Sequence, residues 1–167
     1  QNKWIPLSEG DVQIIRAGNG ISHAEEIDNH SEIFQIWFDP DLSKSLNNEP
    51  TYDDYKSSEF PTVVLENMTK KIIKGSNSPM KMDTQDVLIN EYNFGVGDHS
   101  IKIEMNFIHS LFVVLGSLVY NSSTIENGTF MKIADIAGIN CSAVEPVKIF
   151  EIISPKTPNY KTYSQMR

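Results

Sequence analysis

The sequence predicts an all-β fold, a sandwich or a closed barrel, and three observations carry that prediction. Short strand-like segments follow one another closely from Thr62 to Ile153, and turn signals separate them at Gly75-Ser76-Asn77, Gly95-Val96-Gly97-Asp98, Gly116-Ser117 and Asn127-Gly128. No stretch shows helical periodicity of useful length. An internal repeat with an offset of 118 residues points to two copies of one β unit.

In chain order, Trp4-Ile5-Pro6-Leu7 reads as the end of a strand, Ser8 to Asp11 as a turn, and Val12 to Ile15 as a strand. A glycine-rich bend at Gly18 and Gly20 leads into His23-Ala24-Glu25, followed by a second strand that ends in Trp37, Phe38 and Pro40. From Asp39 to Phe60 the composition shifts to Asp, Ser, Asn, Lys, Pro and Tyr, punctuated by Pro40, Pro50 and Pro61. That suits an ordered connector on the surface, with Tyr52 and Tyr55 as its anchors. The strands expected beyond it are Thr62–Leu65, Lys71–Ile73, Asp86–Tyr92, Ser100–Met105, Ser110–Leu115, Leu118–Tyr120, Thr129–Ile133 and Val147–Ile153.

Adding 118 places Gly10 on Gly128, Val12 on Phe130, Ile15 on Ile133, Gly20 on Gly138 and Ile21 on Ile139. After a two-residue deletion, Phe34 falls on Phe150 and Ile36 on Ile152. His23 and Glu25 fall on Cys141 and Ala143, so the second copy carries no hard ligands there, and Cys141 is expected to be buried packing. The second copy has about 65 residues of strands before Gly128, and the first has nine before Gly10. The first barrel is therefore expected to be incomplete in this chain.

Composition bounds the function. The chain has 167 residues, enough for one large domain or two small ones, with 22% charged residues and a net charge of −8. No basic run is visible, which disfavours direct nucleic-acid binding. A single cysteine excludes an intrachain disulfide framework. The apolar run from Phe107 to Tyr120 is too short and too polar to span a membrane as a helix. Asn-x-Ser/Thr triplets at Asn29, Asn67, Asn121 and Asn127 are read as chance matches in an Asn-rich chain without a secretory leader, and a cytoplasmic protein is expected.

On a strand, His23 and Glu25 project to the same side. An imidazole and a carboxylate suit iron, manganese, nickel or zinc, with no thiolate on offer. The plainer reading is a solvated His and Glu at a strand end. His30, His99 and His109 have no x-His partner, and His109 is expected to be a hydrogen-bonded core residue. No Ser-His-Asp constellation, phosphate loop or paired cysteine motif occurs, and the zinc deaminase signature fails for want of a Pro-Cys-x-x-Cys.

GDVQIIRAGNGISHAE followed by FQIWFDP resembles the later metal-binding stretch of the pirin family, a group of two-domain cupins. Pirins carry a His-x-His pair on an earlier strand and complete the site with a His-x-Glu placed as His23 and Glu25 are. The resemblance implies a bicupin with an incomplete first barrel: residues 1–40 the latter part of the N-terminal cupin, 41–61 a connector, 62–155 the C-terminal cupin and 156–167 a tail. It implies iron, or another divalent metal such as Mn, Ni or Zn, held by His23 and Glu25, weakly or not at all without the His-x-His pair. No catalytic or further cofactor-binding residue is assigned.

The implied activity is that of an iron-dependent dioxygenase acting on flavonols such as quercetin, a quercetin 2,3-dioxygenase-like enzyme if the His-x-His segment is present. The alternatives are a non-enzymatic redox-sensitive regulator that binds a transcription factor, and a truncated inactive cupin. The expected partners are a small aromatic substrate or a protein, with neither nucleic acid nor membrane. An incomplete barrel needs a cover, either further N-terminal strands or a dimer formed by exchange of the Gln1 to Pro40 region.

Overall fold

A computed structural model describes residues 4–166; Gln1, Asn2, Lys3 and Arg167, at the outer ends of the expected first and last segments, lie outside the described residues. Two compact units form: residues 1–55, 82–85 and 158–167 make one, and 56–81 with 86–157 the other.

In the first unit, strand β1 (Val12–Arg16) pairs antiparallel with β2 (Thr51–Tyr55), Val12 opposite Tyr55 and Arg16 opposite Thr51. The Arg16 guanidinium closes the pair, with Nη1 2.7 Å from Asp53 Oδ2. Between the strands lies a one-turn helix, α1 (Leu42–Ser45), capped by Asp41, whose Oδ1 accepts from the Ser43 amide at 3.2 Å. Gly18 allows the chain to close on itself here. Its φ is +50°, and a Cβ would lie 2.2 Å from the Asn48 carbonyl oxygen, which accepts from the Asn19 amide at 2.8 Å. The C-terminal tail acts as a clasp: the Tyr160 hydroxyl donates to the Asp39 carbonyl at 2.7 Å, and Asn159 Nδ2 to Gln85 Oε1 at 2.6 Å.

This unit departs from the sequence-based expectation in two ways. Residues 51–55, expected as connector surface, form β2. Residues 21–28 and 31–40, expected to include a strand, enter no ladder. A strand exists by virtue of its partner, and these extended residues have none among the described residues. Among the described residues no first barrel is seen; the unit holds one two-stranded sheet. Apolar side chains along this stretch stay exposed, Trp37 at 87% and Ile33 at 54%.

The second unit is built from ten strands. They are β3 (Thr62–Leu65), β4 (Met68–Lys74), β5 (Leu88–Phe94), β6 (Gly97–Lys102), β7 (Phe107–Leu115), β8 (Leu118–Tyr120), β9 (Ser123–Ile125), β10 (Phe130–Ile133), β11 (Gly138–Ala143) and β12 (Val147–Pro155). Six form one sheet in the order β10-β7-β12-β5-β4-β3, and four form another in the order β6-β11-β8-β9. Every ladder is antiparallel.

Period-two alternation decides which side chains enter the space shared by the sheets. Val147, Ile149 and Ile153 from β12, Leu111 and Val113 from β7, Ile101 from β6 and Ile139 from β11 are all buried. Each such aliphatic side chain contributes about 1.5–3 kcal/mol by leaving water. Cys141 joins this core, as the repeat predicts. Burial, with Asp98 adding to it, pushes the thiol above its ordinary range.

The two copies of the repeat now differ for a visible reason. Val12–Arg16 and Phe130–Ile133 are both strands. Residues 20–25 correspond to β11, which has β6 and β8 as neighbours, and the stretch around Phe34 corresponds to β12, which has β5 and β7. The pattern is the same in both copies; among the described residues only the second has neighbouring strands to pair with.

Candidate functional site

His23 and Glu25 lie side by side, with His23 Nε2 3.8 Å from Glu25 Oε1, and their side chains are 43% and 27% exposed. Glu25 is held from the hairpin: Gln13 Nε2 donates to its Oε1 at 3.0 Å, and the Tyr52 hydroxyl donates to Gln13 Oε1 at 3.3 Å. Gln13 and Tyr52 share a face of the β1–β2 ladder, because Ile15 is opposite Tyr52 and Gln13 is two residues from Ile15.

The separation of the pair can be set against that of two ligands on one ion. Two ligand atoms each about 2.1 Å from one ion lie about 3 Å apart at a right angle and about 4.2 Å apart when opposed. A separation of 3.8 Å falls within that span. Two donors are nevertheless fewer than a stable site uses, and among the described residues no group of three or more His, Cys, Asp or Glu side chains is placed to hold a metal. His30 is exposed at a left-handed turn, φ 66°, and adds no ligand. Trp37 is exposed on an irregular segment, so the strand expected to end in Trp37, Phe38 and Pro40 does not form.

The second cluster is in the core of the ten-stranded unit, where four polar side chains meet. His109 on β7 and Glu151 on β12 are fully buried, with Asn90 and Tyr92 of β5 beside them. Glu104 N–H donates to His109 Nε2 at 2.9 Å, so that nitrogen carries the lone pair and the ring proton sits on Nδ1. Nδ1 in turn donates to Glu151 Oε1 at 2.8 Å. Glu151 Oε2 accepts from Asn90 Nδ2 at 2.8 Å and from the Tyr92 hydroxyl at 2.9 Å. Burial first, then the Glu151 charge, raises the Tyr92 phenol above its ordinary range and keeps it a donor.

With every partner accounted for inside the cluster, the arrangement is structural: it satisfies itself and leaves no donor atom for a metal. His109 is thus the hydrogen-bonded core residue expected from the sequence. Glu151 was not singled out from the sequence, although it shares the inward alternation of Val147, Ile149 and Ile153, which is the signal that could have found it. Its partners Asn90 and Tyr92, and the Gln13–Tyr52 link to Glu25, depend on cross-strand register, which the sequence does not print.

His99 on β6 stacks on Phe94, ring centroids 4.2 Å apart, and bonds the Gly95 carbonyl through Nε2 at 2.7 Å. His99 also lines an open concavity of about 610 Å³ on the four-stranded sheet, with Asp98, Ser100, Asn140, Cys141 and Ser142.

No protein-family model matches the chain, and no curated protein matches it in sequence. Solved structures do match. The Geobacillus kaustophilus protein GK1651 superposes on 91% of this chain and 67% of its own, with a TM-score of 0.74 and 22% identity. Two crystal structures of quercetin 2,3-dioxygenase from Acinetobacter baumannii superpose on 68% and 70% of this chain, with TM-scores of 0.59 and 0.58 and 14% and 12% identity. The fold is all-β with cupin-fold neighbours. At these identities the likeness is one of fold alone, and the chain spans only 42% and 39% of the dioxygenase chains. No helix among the described residues is long and apolar enough to cross a membrane.

Proposed function

We propose that this chain is part of a pirin-like metal-binding bicupin, and that His23 and Glu25 are half of its metal site. One observation carries the reading. In the second copy of the repeat, the residues that correspond to His23 and Glu25 are Cys141 and Ala143, and both face the barrel interior, 4% and 3% exposed. The same geometry in a first barrel turns an imidazole and a carboxylate inward together, where the second copy has a thiol and a methyl group. The resemblance to pirins implies a His-x-His pair as the source of the remaining ligands, and this sequence holds none.

Iron is the metal of this reading, with Mn, Ni or Zn as substitutes, and when bound it supplies Lewis-acid and redox chemistry toward a chelating aromatic such as a flavonol. The likeness in fold to quercetin 2,3-dioxygenase supports that substrate class. Glu25, steadied by Gln13, offers a fixed carboxylate, and His23 a neutral nitrogen. The test is oxygen uptake with quercetin after anaerobic loading with Fe(II), in a chain that includes the His-x-His segment. Uptake lost in His23→Ala and Glu25→Gln supports the reading; uptake unchanged in both contradicts it.

The regulator reading draws on a different observation, the exposed Ile33, Phe34 and Trp37 of the first unit, which suit an apolar protein partner such as a transcription factor. Iron-loaded protein that binds such a partner in one oxidation state only, with no oxygen uptake, would favour it.

A further inference from the structure

We infer that the concavity on β6, β8 and β11 binds a neutral carbohydrate, with Asp98 as its anchoring acceptor. The inference goes beyond the metal reading and does not rest on it. Strand register builds the site. Asp98 is opposite Ser142, Ser142 is opposite Val119 on its other side, and Ser100 is opposite Asn140. His99 and Cys141 are buried, so period-two alternation sends Asp98, Ser100, Asn140 and Ser142 to the other face of the sheet. Side chains directly opposite each other stand about 4.5–5.5 Å apart, close enough for one sugar ring to meet two of them. The volume, about 610 Å³, is that of a small-molecule site.

Two further observations point to a ligand there. The Ser142 hydroxyl donates to Asp98 Oδ1, which steadies the carboxylate and leaves Oδ2 to accept. The β8–β9 hairpin closes through the two-residue turn Asn121-Ser122, with Tyr120 opposite Ser123, and both turn residues line the concavity. Their φ angles are 48° and 62°, and a turn with two such residues ordinarily takes glycine at the second. Ser122 stands there at a steric cost that glycine would not incur. What the chain gains is a hydroxyl at the concavity, and strain kept at one position of this kind is a mark of a functional site.

The lining selects the ligand class. Among the described residues no Lys or Arg lines the concavity, which disfavours an anion, and a single carboxylate is too little charge for a divalent cation. The side chains of Ser100, Asn121, Ser122 and Asn140 have no hydrogen-bond partner among the described residues. Hydroxyls and amides both donate and accept, as the hydroxyls of a sugar do, and Val119 offers an apolar rest for the C–H face of a ring.

The test is a titration of the ¹⁵N-labelled chain with maltotriose, cellotriose and mannotriose, followed through its amide chemical shifts. At least one of these sugars should give saturable shifts at Ser100, Asn121, Ser122 and Asn140 at millimolar concentration. Asp98→Asn should weaken that binding about tenfold. Ser122→Gly should weaken it about threefold while raising the thermal unfolding midpoint, a pairing that a merely structural turn residue would not show. The inference is overturned if no sugar gives a saturable shift, or if the shifts fall on other residues. It is overturned equally if phosphate or Ca²⁺ shifts the same amides more than any sugar does, or if both variants bind as the wild type does.

Discussion

His109 Nδ1 and Glu151 Oε1 are 2.8 Å apart with neither side chain exposed, and this contact ties β7 to β12 at the centre of the six-stranded sheet. Removing the carboxylate leaves His109, Asn90 and Tyr92 with buried donors and no acceptor. Glu151→Leu should therefore cost about 3–5 kcal/mol, since each stranded buried donor costs about 1–3 kcal/mol. Glu151→Gln keeps one acceptor oxygen and should cost less. Urea unfolding measures both; a loss under about 1 kcal/mol for Glu151→Leu would contradict the network's role.

Asn67 and Gly95 make a second test of packing. Asn67 Nδ2 donates to the Val96 carbonyl, and a Cβ on Gly95 would sit 2.0 Å from Asn67 Oδ1. Gly95→Ala should cost about 1–3 kcal/mol, because the Asn67 side chain must swing out and lose its bond. In an Asn67→Ala background the same change should cost much less, and a double-mutant cycle reads that coupling. Equal costs in the two backgrounds would show that the glycine is there for another reason.

The alkaline side of stability follows from Cys141 and Tyr92. Both hold their protons more tightly when folded, the thiol and the phenol each through burial first. As pH rises the unfolded chain gives up those protons before the folded one does. Stability is then full below the ordinary thiol range and falls above it. The decline should begin near about pH 8.5 for the thiol and steepen above about pH 10 for the phenol. Cys141→Ala should remove the first part of the decline, as seen in unfolding midpoints across that range; an unchanged pH profile would contradict the burial argument.

The exposed apolar stretch predicts behaviour in solution. With Ile33, Phe34 and Trp37 uncovered, this chain should self-associate, and light scattering should give a mass above the 18.9 kDa of one chain. Trp37→Ser should lower the association. A wild type that stays monomeric at high concentration would show that this surface needs no cover.

Some of this was written in the sequence and some was not. Thr62–Leu65 and Leu118–Tyr120 form the strands expected of them, because alternation and flanking turns fixed both ends. β11 was missed: Gly138, Asn140, Ser142 and Ala143 have little intrinsic preference for strand, and the ladders with β6 and β8 impose it. β2 was missed for the same reason, since Asp53 and Asp54 disguise a strand that β1 pairs with. The opposite error, a strand expected before Trp37, came from good β-formers with no partner to bond. His23 and Glu25 were legible as a pair; Gln13 and Tyr52 were not, being joined only by register.

The most direct test of the account is an anomalous difference map at the iron edge, from crystals of a chain that includes the His-x-His segment, grown anaerobically with Fe(II). The account predicts a peak within bonding distance of His23 and Glu25, about 2.0–2.2 Å from the ligand atoms, and none at His109 and Glu151. An ion held by the buried pair, or by other residues with His23 and Glu25 left free, would contradict it.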